Sequence, residues 1–193
     1  MKKIIVLLAI LTFYISASAQ KEDTIANGNA KIYYRVFAEG KPVLIINGGP
    51  GMNSNGFAEV AKKLGEHNMA IIYDQRGTGR SVLDKIDSTT ITINLMIEDI
   101  EALRNHLGIK KWIVFGHSFG GMLASYYATV HPENIEAMIL SSSGGIDLAL
   151  QSYVQQSINS RLSVEEYKEV DYWTTKINDG DTTYESRLKR GMA

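Results

Sequence analysis

Apolar residues in this chain gather into short continuous runs, separated by glycine-rich loops and by stretches with helical spacing. Ile135–Leu140 reads as a strand, and Val43–Ile46, Met69–Tyr73 and Trp112–Phe115 are apolar runs of four or five residues rich in β-branched and aromatic side chains. That length without alternation is the mark of strands buried on both faces. Lys31–Phe37 is also rich in strand formers and is broken by Gly40-Lys41-Pro42. Between the runs, Phe57, Val60, Ala61 and Leu64 share a helical face that ends at Gly65. Leu95, Ile97, Ile100, Leu103 and Leu107 define a helix over Asn94–Leu107, with Gly108 at the C-cap position. A third helix is expected from Gly120 to Val130, before His131-Pro132. Asp23–Ala30 reads as polar and turn-like, with Asn27-Gly28-Asn29 a hairpin tip. Strands alternating with helices over short connections predict an α/β fold, a mostly parallel sheet with flanking helices. After Ser141–Gly145 the pattern changes. Leu148–Ile158 and Val164–Ile177 are helical with no strand between them, and Gly180 precedes a polar stretch, Thr182–Arg190.

The N-terminus stands apart. Lys2 and Lys3 precede a twelve-residue, mostly apolar run, Ile4–Ile15, and Ala17-Ser18-Ala19 is an A-x-A site. This is the pattern of a secretory signal peptide, with cleavage expected after Ala19. The run falls short of the ~20 apolar residues of a membrane span. No cysteine follows it, so no lipid-anchored cysteine and no stable membrane anchor is expected. The expected location is secreted or periplasmic. The expected organisation is a leader over 1–19, an α/β core over 20–145 and a helical segment over 146–193. Removing Lys2 and Lys3 takes the formal net charge from −1 to −3. Such a balance gives no reason to expect nucleic acid or an anionic membrane surface as partner. With no cysteine and no pair of histidines at ligand spacing, neither a metal nor a cofactor is implied.

The chemistry concentrates on three loops, each following a strand. In Gly116-His117-Ser118-Phe119-Gly120, a strand leads in and a helix leads out. Gly-x-Ser-x-Gly in that context is a nucleophile elbow, in which the serine hydroxyl stands above the sheet edge. A plain glycine–serine turn is the alternative. Acyl transfer also needs donors aimed at the developing oxyanion. The Phe119 N–H follows the nucleophile, and Asn47-Gly48-Gly49-Pro50-Gly51 lies after an earlier strand, where a second donor belongs. The third loop, Asp74–Ser81, carries Asp74 and Arg76, expected to fix loops by hydrogen bonding rather than to transfer protons. Gly77-Thr78-Gly79 lacks the Gly-Lys-Ser/Thr of a phosphate loop. In an open parallel sheet this edge is where ligands bind.

Gly48-Gly49-Pro50-Gly51, Asp74-Gln75-Arg76-Gly77-x-Gly79-x-Ser81 and Gly116-His117-Ser118-Phe119-Gly120-Gly121 together resemble the α/β-hydrolase fold, and within it most closely the proline iminopeptidase branch, serine peptidases that remove an N-terminal proline. The resemblance covers about Ile32 to Leu140. It implies Ser118 as nucleophile, Gly49 and Phe119 N–H groups as the oxyanion hole, and Gly48, Pro50, Gly51, Asp74 and Arg76 as supports of the site. It implies a small peptide or other small acyl substrate. It also makes 146–193 the start of a helical cap, in which the family binds the substrate's amine through acidic residues. Glu165, Glu166, Glu169 and Asp171 lie there, and a solvated helix face explains them equally well. Asn47 stands where the family usually has histidine, and its contribution is expected to be loop support.

A serine nucleophile needs a base, and the base an orienting carboxylate, in the order Ser, Asp or Glu, His for this fold. After Ser118 there is one histidine, His131, thirteen residues on. Along a helix that is ~18–20 Å, too far for a base. His131, His67 and His106 read as helix-end residues, and the His117 side chain is expected to turn away from Ser118. No acidic residue can be named as the third member. The chain therefore reads as a hydrolase truncated within its cap, inactive by itself and poorly stable or oligomeric. Two alternatives stay open. One is another hydrolase of this fold, acting on esters, epoxides or amides. The other is a non-catalytic relic or binding module.

Overall fold

A computed structural model describes residues 20–145 and 149–192, with side chains over 20–145 and 152–191. The expected signal peptide, Met1–Ala19, lies outside the described residues. The chain forms two compact units divided between Ser143 and Gly144.

The first unit is a mixed, mostly parallel sheet with helices. Its strands are β1 (Lys21–Asn27), β2 (Ala30–Phe37), β3 (Lys41–Ile46), β4 (Asn68–Tyr73), β5 (Val82–Leu83), β6 (Trp112–His117) and β7 (Ile135–Ser141). They run in the order β1-β2-β4-β3-β6-β7, with β5 on β2. β4, β3, β6 and β7 are parallel neighbours, and β1, β2 and β5 are antiparallel. The helices are α1 (Ala58–Leu64, preceded by a 3-10 turn Ser54–Phe57), α2 (Ile93–His106) and α3 (Phe119–Val130).

The continuous apolar runs divide between two cores because successive side chains leave opposite faces of a strand. Leu44, Ile46, Ile71, Tyr73 and Val114 pack with Ile97, Ile100, Leu103, Leu123 and Tyr127 on one side. Ile45, Ala70 and Ile72 pack with Phe37 and Ala61 on the other. The parallel α/β expectation holds here. One local expectation does not. Asp23–Ala30 is no loop: β1 pairs with β2 from Lys21 opposite Val36 to Asn27 opposite Ala30, and only its end is the hairpin turn. Its polar residues lie exposed on the sheet, so β1 shows no hydrophobic run. β7 forms where a strand is expected and leaves Met138, Ile139 and Leu140 39–48% exposed.

Glu101 joins α2 to α3 and to the turn before β7. It accepts from Arg104 Nε and Nη2 (2.9 and 2.7 Å), from the Tyr127 hydroxyl and from Asn134 Nδ2 (3.1 Å). Burial works to raise its carboxyl, but the bonds from Arg104, Tyr127 and Asn134 outweigh burial and hold it below the ordinary 4.5. A carboxyl depressed in the folded state adds stability that is complete above its unfolded value and lost as pH falls through its folded value. Urea midpoints of the wild type are therefore expected to fall as pH drops below about 4.5. Glu101→Gln should be less stable at neutral pH and show a shallower acid slope. An unchanged slope in the variant would assign the acid sensitivity to other carboxylates.

The second unit contains α4 (Ala149–Asn159), α5 (Val164–Asn178) and α6 (Tyr184–Met192). Ser163 and Glu166 close a reciprocal capping box on α5, which accounts for that glutamate, and Glu165, Glu169 and Asp171 are exposed. The polar stretch after Gly180 is a helix. Asp181 starts it by accepting from Thr183 N–H and the Ser186 hydroxyl, and Arg190 Nε reaches Thr174 on α5 at 2.7 Å.

Candidate active site

β6 delivers the chain to Ser118, whose φ of 52° and ψ of −120° lie outside the usual regions for an L-residue, and α3 starts at the next residue. The turn is held by the Ser118 N–H on Ser141 O (3.0 Å) and the Gly121 N–H on Ser118 O (2.9 Å). Two close approaches make glycine necessary. A Cβ on Gly116 would lie 2.5 Å from Gly120 O, and one on Gly120 would lie 2.1 Å from Ile46 O. The expected elbow, rather than a plain turn, is thus what the backbone adopts. A non-glycine residue at such φ stores about 1–3 kcal/mol of strain. Ser118→Gly is therefore expected to gain about 1 kcal/mol of stability while losing the hydroxyl. A raised urea midpoint with unchanged slope would show it, and a lowered midpoint would mean the hydroxyl holds the turn.

Ser118 opens into a cleft of about 270 Å³ lined by Gly48, Gly49, Met52, Phe57 and His117 among others, with an apolar surface. Gly48 lies directly against the serine: a Cβ there would be 3.1 Å from Ser118 Cβ. The structure thus brings together the elbow and the glycine loop from separate parts of the sequence. Pro50 follows a cis peptide bond in this loop, and Gly51 has φ 89°. Phe119 begins α3, so its N–H is one of the free donors of a helix start.

Asp74 and Arg76 lie beside this assembly rather than in it. Asp74, 3% exposed, accepts the Ser54 N–H and hydroxyl (2.8 and 2.7 Å) and the Arg80 N–H (2.8 Å), fastening the Asp74–Ser81 loop to the turn before α1. Arg76 Nε and Nη2 donate to the two Asp99 carboxylate oxygens at 2.7 Å each, and Nη1 donates to Thr90 O at 2.9 Å. Asn27 Nδ2 also reaches Asp99 (2.8 Å). Burial works to raise the Asp99 carboxyl against the pull of Arg76 and Asn27. Sequence reasoning missed Asp99. Its signal was a charge among Met96, Ile97, Ile100 and Leu103, on the apolar face of α2.

The histidines fall as follows. His131 caps the far end of α3 and packs its ring on Tyr127 (5.5 Å). His106 ends α2 and meets the Tyr34 hydroxyl at 3.1 Å. His117 makes its polar contact away from Ser118, through Nδ1 to Ser141 Oγ at 3.3 Å, while its ring lines the serine cleft and packs on Phe57 (5.3 Å). The reason is alternation, since Phe115 and His117 leave the same face of β6, where Phe57 waits.

Residues 41–181 match the family described as the alpha/beta hydrolase fold. Proline iminopeptidase of Lactobacillus helveticus (strain DPC 4571) is 39% identical over 117 residues, 57% of this chain and 39% of the relative. Proline iminopeptidase of Clostridioides difficile (strain 630) is 32% identical over 171 residues, 84% of this chain and 56% of the relative. The crystal structure of a Mycobacterium smegmatis proline iminopeptidase superposes with a TM-score of 0.69 at 24% identity, covering 88% of this chain and 58% of that one. The chain thus spans between 39% and 58% of the lengths of these three proteins.

Proposed function

Because the chain belongs to the α/β-hydrolase fold family, we propose that it carries the nucleophile half of a serine hydrolase acting on small peptides with N-terminal proline. The observation that carries this reading is the strained Ser118 turn opening into a cleft walled by the Gly48-Gly49 loop. Ser118 Oγ attacks the substrate carbonyl, and the carbonyl oxygen takes up the electron pair. The N–H groups of Phe119 and Gly49 receive that oxyanion. The proline preference draws on the relatives named proline iminopeptidase. The serine proton needs an imidazole acceptor, and His117 Nδ1 is engaged by Ser141 rather than by Ser118.

A second reading, a hydrolase of neutral acyl esters or amides, is favoured by the lining of the cleft, which among the described residues is glycine, asparagine, methionine, phenylalanine, histidine and serine, with no carboxylate to meet a substrate ammonium. Fluorophosphonate labelling with peptide mapping tests the nucleophile. With imidazole added in solution as the base, an adduct on the Ser118 peptide, absent from Ser118→Ala, is expected, and an adduct on another serine, or none, overturns it. A panel of prolyl arylamides, alanyl arylamides and short acyl esters then separates the two readings by which is turned over fastest. We also propose export. The mature protein is expected to begin at Gln20, and an N-terminal sequence beginning at Met1 would rule that out.

A further inference from the structure

We propose that Asn47 and Gln75 are positioning residues that set the direction in which the Gly48 and Gly49 N–H groups point. Both side chains are buried, at 2% and 1% exposure. Asn47 Nδ2 donates to Gly48 O (2.8 Å) and to Met52 O (2.9 Å), and Gln75 Nε2 donates to Asn47 O (2.9 Å).

A peptide group is one rigid plane, and in the trans form its C=O and N–H point in opposite directions. The Gly48 carbonyl shares its plane with the Gly49 N–H. Holding Gly48 O on the Asn47 side chain therefore aims the Gly49 N–H the other way. By the same geometry Gln75, through Asn47 O, aims the Gly48 N–H, and the bond to Met52 O aims the Asn53 N–H. Consecutive glycines allow such planes to turn over at little cost, so without these clamps the donors of the loop would have no fixed direction. Gly48 lies against Ser118, so the planes being fixed adjoin the nucleophile.

Both carboxamides work through their donor ends only: Asn47 Oδ1 and Gln75 Oε1 are buried and accept no hydrogen bond among the described residues. The pair of N–H groups on one nitrogen lets Asn47 hold both ends of the loop at once, whereas an imidazole nitrogen offers one N–H. The catalytic meaning of the clamp rests on the Gly49 N–H being an oxyanion donor. The clamp itself is tested without turnover, so its failure and a failure of serine labelling are distinguishable.

The test is ¹H–¹⁵N spectroscopy of the whole chain. In the wild type, heteronuclear NOE values of Gly48 and Gly49 are expected to match those of Leu44 and Val114. Values as low as that of Gly28, at the hairpin tip, would overturn the proposal. Asn47→Asp keeps the shape but replaces two donors by an acceptor. It is expected to move the Gly49 and Asn53 cross-peaks, and Gln75→Glu to move that of Gly48, with Leu44, Ile71 and Val114 in place. Lowering the pH protonates the new carboxyl of Asn47→Asp and restores one donor, so its Gly49 peak is expected to move back toward the wild-type position. Loop peaks that stay put in both variants, or core peaks that move equally, would overturn the clamp. Should Asn47→Asp fail to fold, Gln75→Glu and the wild-type NOE values still decide.

Discussion

Asp99→Ala is expected to cost about 3–5 kcal/mol, the penalty for leaving a buried charge without its partner. The Arg76 and Asp99 side chains are each 1% exposed, so water cannot replace the lost carboxylate without opening the core. The variant would leave three Arg76 donor nitrogens with one protein acceptor, Thr90 O. It would also free Asn27, which ties the end of β1 to α2. Against a usual total of about 5–15 kcal/mol this is a large fraction. Urea denaturation should show a sharply lowered midpoint. The pair itself is expected to add little net stability, because burial opposes the ionised carboxyl even with both partners present. Arg76→Met combined with Asp99→Leu is therefore expected to lose far less than Asp99→Ala alone. A double variant as unstable as the single one would mean that the ion pair contributes stability in its own right.

Gly120→Ala is the second large effect, and it acts on the site directly. The added Cβ would fall 2.1 Å from Ile46 O and 2.6 Å from Asn47 O. Both are backbone atoms at the exit of β3, so no side chain can swing aside. Helix α3 must then back away from β3, separating Ser118 from the glycine loop it faces. Overpacking of this kind costs about 1–3 kcal/mol, occasionally more. Loss of fluorophosphonate labelling at Ser118 is expected even in the fraction that stays folded. Gly56→Ala, which meets nothing within 4 Å, is the control and should change the midpoint by less than about 0.5 kcal/mol. Labelling that survives Gly120→Ala would show that the elbow tolerates a wider separation than its geometry implies.

The elements legible from residue order alone are those whose signal is local. β3, β4 and β6 are short apolar runs, α2 is a stripe at helical spacing, and the elbow is two glycines around a serine between a strand and a helix. Each needs only neighbours within a turn or a strand, so spacing is enough. The serine cleft was partly legible in the same way: Ser118, Gly48 and Gly49, which line it, were named from their motifs, and two of the three loops meet in it. β1 and α6 were not, because their stability comes from outside their own pattern. β1 is a polar strand held by its ladder to β2, and α6 is a charged helix started by Asp181 and fastened through Arg190 to Thr174.

Residue order thus set β3, β4, β6, α2 and α3, the tight glycine turn at Ser118 and the mostly parallel arrangement, since these follow from side-chain shape and the two backbone periodicities. Only the tertiary structure decided which distant groups meet. It inserted β4 between β2 and β3, joined Arg76 to Asp99 across 23 positions, and seated Gln75 on Asn47 across 28. It also turned His117 into the cleft through a face shared with Phe57. Such meetings depend on how sheet order and loop closure bring remote segments together, and no spacing within a single segment encodes the partner of a buried charge or amide.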